Sequence, residues 1–348
     1  MTAGDRSPSP AGSPPRAGLT VFVLVLALGA CSTPKKKTAP PRYLTPQARL
    51  EAARKTLSRS RHQKTARSRR ADLELTAARL YRDAGRTPLA LPILSKVVAD
   101  PKAPARTRAR AAWLLLQYTD CRESGRYWEL LEKYPDTVAA EDALWRYLEL
   151  ATEPPGDRIR RLVRFYGRHR TRTVADLVLF EAARQAHRQP GEAWRNYAVH
   201  LLDFLAKRHP DSPRRDEALI TAARWSRELG RTKEAIGFVR RLLETRETSL
   251  FFGDYNSQYL DDAQLLLGDL HLERGETKAA LSAWRALPQR FPKSRLRDRV
   301  QLRLMDTYTT LGQPKQACAA ARELVKKTPR SRFAPRAKNL LAGCPKRP

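Results

Sequence analysis

Cysteine and histidine side chains are the most reactive groups in this 348-residue sequence, and their spacing does not point to catalysis. The four cysteines lie at positions 31, 121, 318 and 344, and the six histidines are scattered, so neither a CxxC pair nor an HExxH metal site is present. The motif GxSxG and a Gly-rich strand-to-helix loop are also missing. Adjacent carboxylates occur at 141–142 and 261–262, but acidic residues at helix starts are usually solvated and stabilised there by the helix dipole. We therefore expect no enzymatic activity, no cofactor and no metal.

The first cysteine follows a short apolar segment. Residues 19–30 (LTVFVLVLALGA) are too few to span a bilayer, which takes about 20 residues, so residues 1–30 are predicted to be an export signal. The segment ends in Leu28-Gly29-Ala30-Cys31, which resembles a bacterial lipobox. The resemblance implies cleavage before Cys31 and acylation of that residue. Ser32, in the place where Asp would retain a lipoprotein at the inner membrane, implies the periplasmic face of the outer membrane of a Gram-negative-type bacterium.

Residues 31–70 are predicted to form a basic, flexible tether after the lipidated cysteine. Between residues 32 and 70 there are thirteen Lys or Arg and one acid, Glu51, in a chain whose formal net charge is +31. Such a segment buries too little apolar surface to offset ordering entropy, so we expect at most a weak helix from 49 to 70. The tether either contacts anionic headgroups or cell-wall carboxylates, or is a solvated spacer.

A repeat of about 37 residues organises the rest of the chain. Gly275 and Gly312, Ala280 and Ala317, and Pro292 and Pro329 are each 37 residues apart. The same frame fits two more segments, around Gly85 and Gly230. A small residue seven positions before the turn Gly and an Ala five positions after it predict two antiparallel helices that cross closely, with Gly in a left-handed turn. The residues at the first of these positions are Ala78, Ala223 and Gly268, with Met305 as the exception.

These residues resemble the tetratricopeptide repeat. The resemblance covers about 270 residues and implies an all-α solenoid, a right-handed superhelix of about seven helical hairpins between 71 and 329 with a closing helix at about 332–343. Residues 71–252 hold the N-terminal and degenerate repeats, and 253–348 hold the C-terminal repeats. Each Pro-x-Ser/Thr sequence is expected to stop one helix and to cap the next. The segment 290–341 also resembles repeats of the BamD and CpoB groups of exported tetratricopeptide proteins.

In the family that this sequence resembles, partner segments lie in a groove lined by the first helix of each hairpin. The residues at the corresponding positions would form a groove that runs from basic to acidic, or would simply solvate a helix face. These candidates are Arg79, Arg82, Arg224, Arg227, Asp262, Asp269, Glu273 and Asp306. An insertion of eight residues near 250–259 adds an aromatic cluster, which either anchors a partner or fills a wider joint between hairpins. The cluster consists of Phe251, Phe252, Tyr255 and Tyr259.

Two cysteines fall on helices that the repeat places side by side. Cys318 lies on the second helix of the last hairpin and Cys344 ends the closing helix, ten and thirteen residues from the connection between the two helices. In an oxidising compartment we expect a Cys318–Cys344 disulfide; the alternative is two small buried residues. Cys121 remains as a core residue.

The sequence therefore predicts a lipid-anchored scaffold for protein–protein interactions in cell-envelope assembly. Partners would be envelope proteins of the outer-membrane assembly, Tol-associated or secretin-type machinery, together with the membrane itself and no nucleic acid. The alternative is a protein that binds peptidoglycan, an anionic polymer or a membrane surface through its basic surface.

Overall fold

A computed structural model describes residues 45–62, 66–244, 247–249, 253–255 and 258–345. The described residues form sixteen helices and two short strands. The helices are α1 (Pro46–Arg61), α2 (Arg67–Asp83), α3 (Thr87–Ala99), α4 (Ala105–Tyr118), α5 (Ser124–Lys133), α6 (Val138–Leu150), α7 (Pro155–Arg168), α8 (Ala175–His187), α9 (Glu192–Arg208), α10 (Arg215–Glu228), α11 (Thr232–Leu243), α12 (Leu260–Glu273), α13 (Thr277–Arg290), α14 (Arg297–Thr310), α15 (Pro314–Lys327) and α16 (Ala334–Ala342). The strands are β1 (Glu247–Ser249) and β2 (Gly253–Tyr255), which pair antiparallel.

From α2 onward the helices form seven consecutive hairpins and a closing helix, α16, so the predicted tetratricopeptide-type solenoid is confirmed. Most helices that follow one another in the chain pack together, but two pairs of hairpin partners are less close, α4 with α5 and, least of all, α6 with α7. There, the aromatic rings of Trp128, Tyr147 and Phe165 fill the wider space between α5, α6 and α7. The four turn glycines of the regular hairpins have φ between +64° and +74°, as predicted.

The array begins before residue 71, which corrects the prediction of a flexible tether as far as residue 70. Thr45 caps α1, since its Oγ1 accepts a hydrogen bond from the amide of Ala48 at 3.2 Å, and Pro46 occupies the first turn. Ala53 and Ser60 of α1 are fully buried against the array. A narrow face of small residues was enough to order this helix despite its charge. Cys31 and the rest of residues 1–44 lie outside the described residues.

The joint at residue 252 does not interrupt the packing. On α12, Leu266 belongs to the large central core and Leu265 to the core of the last two hairpins. All described residues therefore lie in one compact unit, Thr45–Pro348.

The Pro-x-Ser/Thr sequences work differently from the cap that we predicted. Thr137 does cap α6, accepting from the amide of Ala140 at 3.3 Å. Ser294 and Ser331 instead lie in the connections, where each hydroxyl accepts from the amide two residues ahead. Each hydroxyl also donates, at 2.6 Å, to an aspartate at the start of the preceding hairpin, Asp261 or Asp298. The serines thus join successive hairpins.

Candidate functional site

The first helices of the hairpins, together with α16, make one polar or aromatic contact after another along the array. We call this surface the first-helix face; it comprises α2, α4, α6, α8, α10, α12, α14 and α16. The contacts between consecutive members are Thr107 with Asp72, Arg110 with Asp142, Trp145 with Arg184, His187 with Trp225 and Glu228, Arg224 with Asp262, Arg227 with Glu273, Arg303 with Asp269, and Arg336 with Asp306. Each hairpin is therefore fixed to the next one on this face.

Six of the eight predicted groove residues belong to these contacts. Arg224 lies 3.2 Å from Asp262, and Arg227 Nε donates to Glu273 at 2.7 Å. Asp269 accepts from Arg303 at 2.9 Å, and Asp306 lies 2.8 Å from Arg336. Because the acids of α12 and α14 are neutralised by arginines of neighbouring helices, the predicted basic-to-acidic gradient is largely cancelled within the protein.

The two remaining groove candidates lie on α2. Arg79 is exposed, and the Arg82 guanidinium lies 5.5 Å from the centre of the Tyr118 ring on α4 and 3.6 Å from the Asp83 carboxylate. Burial is the main cause that raises the pKa of the Tyr118 hydroxyl, and the nearby Arg82 opposes that rise. This part of the face keeps a net positive character.

An aromatic section lies in the middle of the first-helix face, on α6, α8 and α10. Trp145 keeps 44% of its surface exposed, although its ring lies 6.0 Å from the Arg184 guanidinium. The His187 ring stacks on Trp225 with centroids 4.0 Å apart and planes inclined by only 6°. An exposed tryptophan beside an arginine is the type of anchor that recurs at protein interfaces.

Two titratable groups beneath this section have shifted pKa values. Burial raises the pKa of the Glu181 carboxyl, while Arg184, 2.8 Å away, partly opposes the shift. Burial also lowers the pKa of His187, against the opposing effect of Glu228 at 3.4 Å. The lowered pKa favours the neutral form of the His187 ring, and its Nδ1 has no hydrogen-bond partner in the part of the chain that the structure describes.

Sequence reasoning missed Trp145, Arg184, His187 and Trp225. A signal was available, because Trp145 and Arg184 are 39 residues apart and His187 and Trp225 are 38 apart, close to one repeat. It was hidden because hairpins two to four depart from the regular pattern and lack its turn glycine.

The predicted aromatic loop is only partly described. Phe251 and Phe252 lie outside the described residues, and Tyr255 is the last residue of β2. Tyr259 immediately precedes α12 and packs, half-buried, against the central core. For this one residue the structure favours the interpretation as a joint filler.

The structure joins Cys318 and Cys344 in a disulfide with their Cα atoms 6.0 Å apart, which is the pair that the sequence predicted. The bond ties the end of α16 to the buried side of α15. Cys121 is free and half-buried. Across the described ranges, no cluster of three or more His, Cys, Asp or Glu could hold a metal ion, and none of the helices has the length and apolarity to cross a membrane.

Residues 262–294, which cover α12, α13 and the connection after them, match the family model of the tetratricopeptide repeat. The similar solved structures include Pseudomonas aeruginosa pilF, at 14% identity and a TM-score of 0.33 over 77% of this chain and 96% of that one. They also include a putative kinesin light chain with TPR-like repeats from Podosopora anserina (16% identity, TM-score 0.28, 65% and 98%) and the P58(IPK) TPR domain (14%, 0.23, 85% and 87%). Similarities this weak carry no argument about function. No curated protein matches the sequence.

The chain thus carries a tetratricopeptide repeat and folds as a tetratricopeptide-type solenoid. Solenoids of this type are scaffolds for protein–protein interactions.

Proposed function

We propose that this protein is a lipid-anchored scaffold that binds envelope proteins along its first-helix face and acts by binding rather than by catalysis. The aromatic section carries the proposal: Trp145 remains exposed although the solenoid buries most of its large apolar side chains. Between α10 and α16 the acidic groove candidates are paired with arginines of the protein, so affinity would come from apolar contact near Trp145 and Arg184.

The location of the scaffold rests on the lipobox at residues 28–31 and on Ser32. Acylation of Cys31 would hold the array at the periplasmic side of the outer membrane. Partners in that compartment would belong to the outer-membrane assembly, Tol-associated or secretin-type machinery. The Cys318–Cys344 disulfide agrees with an oxidising compartment.

Site-specific photocrosslinking in cells tests the binding face. A photoreactive amino acid at position 145 should capture a defined envelope protein, and the same residue at position 197 should not. Tyr197 is the matched control because it is an exposed aromatic residue (37%) on a second helix, α9. Capture of the same proteins from both positions, or of none from position 145, would contradict the proposed face.

The anchor is tested separately with Cys31→Ala. We expect the wild-type protein to incorporate labelled palmitate and to fractionate with the outer membrane, and the variant to do neither. If the wild-type protein incorporated no label, the proposed lipid anchor would be wrong, but the proposed binding face would not be affected.

A further inference from the structure

The connections between hairpins lie together along one edge of the array. Because the two helices of each hairpin run antiparallel, the turns within hairpins lie at one end of the helices and the connections between hairpins at the other. Hydrogen bonds confirm that neighbouring connections adjoin: Asp136 accepts from the amide of Thr173 at 3.0 Å, and Ser331 donates to Asp298 at 2.6 Å. We call this edge the inter-hairpin edge; it comprises the connections 134–137, 169–174, 209–214, 291–296 and 328–333.

Positive charge is concentrated on this edge in the last two hairpins. Residues 290–299 and 326–336 contain ten Lys or Arg and one acid, Asp298. The corresponding stretches at the opposite edge, 271–280 and 308–318, contain three Lys or Arg and two acids. Asp298, whose carboxylate accepts hydrogen bonds from Ser331 and from the amide of Arg299, offsets only one of these ten positive charges.

The requirements of the fold do not explain this concentration. Basic residues in the last turn of a helix, such as Lys326 and Lys327, are stabilised by the helix dipole. Four further cations lie in the connections beyond the helix ends, are exposed, and make no ion pair with an acid among the described residues. They are Lys293, Arg295, Arg330 and Arg332.

Clefts lined by cations and hydroxyl groups lie along the same edge. A cleft of about 250 Å³ is bordered by Arg297, Lys327 and Thr328 together with one acid, Glu323, and the buried Arg297 Nε has no hydrogen-bond partner in the described chain. A cleft of about 570 Å³, one hairpin earlier, is lined by Lys293, Ser294 and Arg295. Two acids also line it, but Asp261 accepts from Ser294 and Asp262 is paired with Arg224. Guanidinium, ammonium and hydroxyl donors that converge on one cleft suit a phosphate group.

We propose that the inter-hairpin edge of the last two hairpins binds the phosphate-bearing headgroups of an anionic membrane. A row of connections presents several cations towards one plane, and a charged bilayer surface can engage all of them at once. The aromatic residues of these connections, Phe291 and Phe333, pack half-buried against the core, and the guanidinium groups of Arg290 and Arg332 lie 5.6 and 4.8 Å from their ring centres, which leaves little ring surface for stacking a nucleobase. This surface is distinct from the first-helix face, and the proposal stands without a protein partner.

Vesicle partitioning of the full chain with Cys31→Ala, which removes the predicted acylation site, tests the proposal. The vesicles contain phosphatidylcholine with or without phosphatidylglycerol, and the neutral vesicles measure binding that does not depend on charge. The edge variant is Lys293→Gln, Arg295→Gln, Arg330→Gln and Arg332→Gln together. The control variant removes the same charge from exposed sites at the opposite edge: Arg188→Gln, Lys233→Gln, Lys278→Gln and Lys315→Gln.

Each basic residue near an anionic surface contributes about fivefold to the partition coefficient, so the edge variant should bind phosphatidylglycerol vesicles roughly 100- to 600-fold more weakly. The control variant should lose no more than about tenfold, through its lower net charge alone. Raising the salt from about 0.05 to about 0.5 M should abolish most of the difference. Arg295→Lys with Arg330→Lys and Arg332→Lys should retain binding, since it keeps the charge.

Equal losses in the edge and control variants would overturn the proposal, because net charge would then explain the binding. Unchanged binding of the edge variant would also overturn it. The proposal would also be overturned if millimolar inorganic phosphate competed with the vesicles, or if the wild type bound an oligonucleotide more strongly than the vesicles. The ligand of this edge would then be free phosphate or a nucleic acid and not a membrane. Circular dichroism of each variant establishes that the helices are retained.

Discussion

Replacing Gly268 by Ala should destabilise the protein, although the same change in an ordinary helix is stabilising. Gly268 lies within α12, where it faces the fully buried Trp284 ring of α13. A Cβ atom at position 268 would lie 2.2 Å from Nε1, 2.4 Å from Cδ1 and 2.7 Å from Cε2 of Trp284. Ordinary contacts are about 3.5 Å, so the ring or the helix has to move by about 1 Å.

The magnitude follows from two opposing effects. Ala is favoured over Gly in a helix interior by about 1 kcal/mol. Overpacking a filled core costs about 1–3 kcal/mol, and a clash this deep belongs at the upper end. Moving the ring also endangers the hydrogen bond from Trp284 Nε1 to the carbonyl of Leu265, 3.3 Å long. We therefore expect a net loss of about 1–2 kcal/mol in the free energy of unfolding.

Gly237→Ala is the matched control. Gly237 lies within α11, is exposed, and has no atom within 4 Å of the site of an added Cβ. This substitution should raise the free energy of unfolding by about 0.5–1 kcal/mol, so that two identical changes have opposite signs. Urea unfolding followed by far-ultraviolet circular dichroism gives both values. In a Trp284→Leu background, Gly268→Ala should become neutral or stabilising. The reasoning is refuted if Gly268→Ala raises the unfolding midpoint in the wild-type background as Gly237→Ala does.

Three further predictions concern the disulfide, a connection between hairpins and a buried acid. Replacing Cys318 and Cys344 by Ser should destabilise the last hairpin by about 3 kcal/mol, given their separation of 26 residues, and should speed hydrogen exchange in α16; unchanged exchange would contradict this. Ser331→Ala should cost about 1–2 kcal/mol in thermal unfolding, but much less in an Asp298→Asn background, where the carboxylate that loses its donor is absent. Burial raises the pKa of Glu181, so the folded protein holds this proton more tightly than the unfolded chain does, and stability falls as the pH rises through the ordinary carboxyl pKa towards the raised one. Glu181→Gln should therefore raise the melting temperature at pH 7 and leave it nearly unchanged at pH 4, whereas a lower melting temperature at pH 7 would show that the ion pair with Arg184 outweighs desolvation.

The hairpins were predictable because their signals are local. Gly275 and Gly312, and Ala280 and Ala317, recur with the period of the repeat. Each hairpin has the same left-handed turn, which favours Gly, and the same close helix crossing, which favours a small residue. Gly268 could be placed at a close helix crossing for the same reason. The helix α1 was predicted only as a weak helix beginning at about residue 49, because composition dominated the prediction, although Leu50, Ala53 and Leu57 have the spacing of one apolar helix face.

The partners of charged groups were not predictable in this way. Arg224 and Asp262 lie on the first helices of successive hairpins. Their separation in the sequence does not show whether the two side chains form an ion pair, as they do in the structure, or face solvent. Trp145 and Arg184 are separated by about one repeat, but hairpins two to four depart from the regular pattern, so the repeat could not be used to pair these two residues. The sequence thus located the face but not the groups on it that remain available to a partner.

The Cys318–Cys344 disulfide at the C-terminal end of the array makes the two ends differ in their resistance to unfolding under force. Each hairpin is supported mainly by its neighbours, so an array under tension loses units from an exposed end. At one end α1 is held by noncovalent contacts, which include its packing and a hydrogen bond from Arg49 to the carbonyl of Asp83, whereas at the other end the disulfide joins α16 covalently to α15. Under tension between residue 45 and the C-terminus, the solenoid would unfold first at its N-terminal end, and the disulfide-bonded helices α15 and α16 would unfold last.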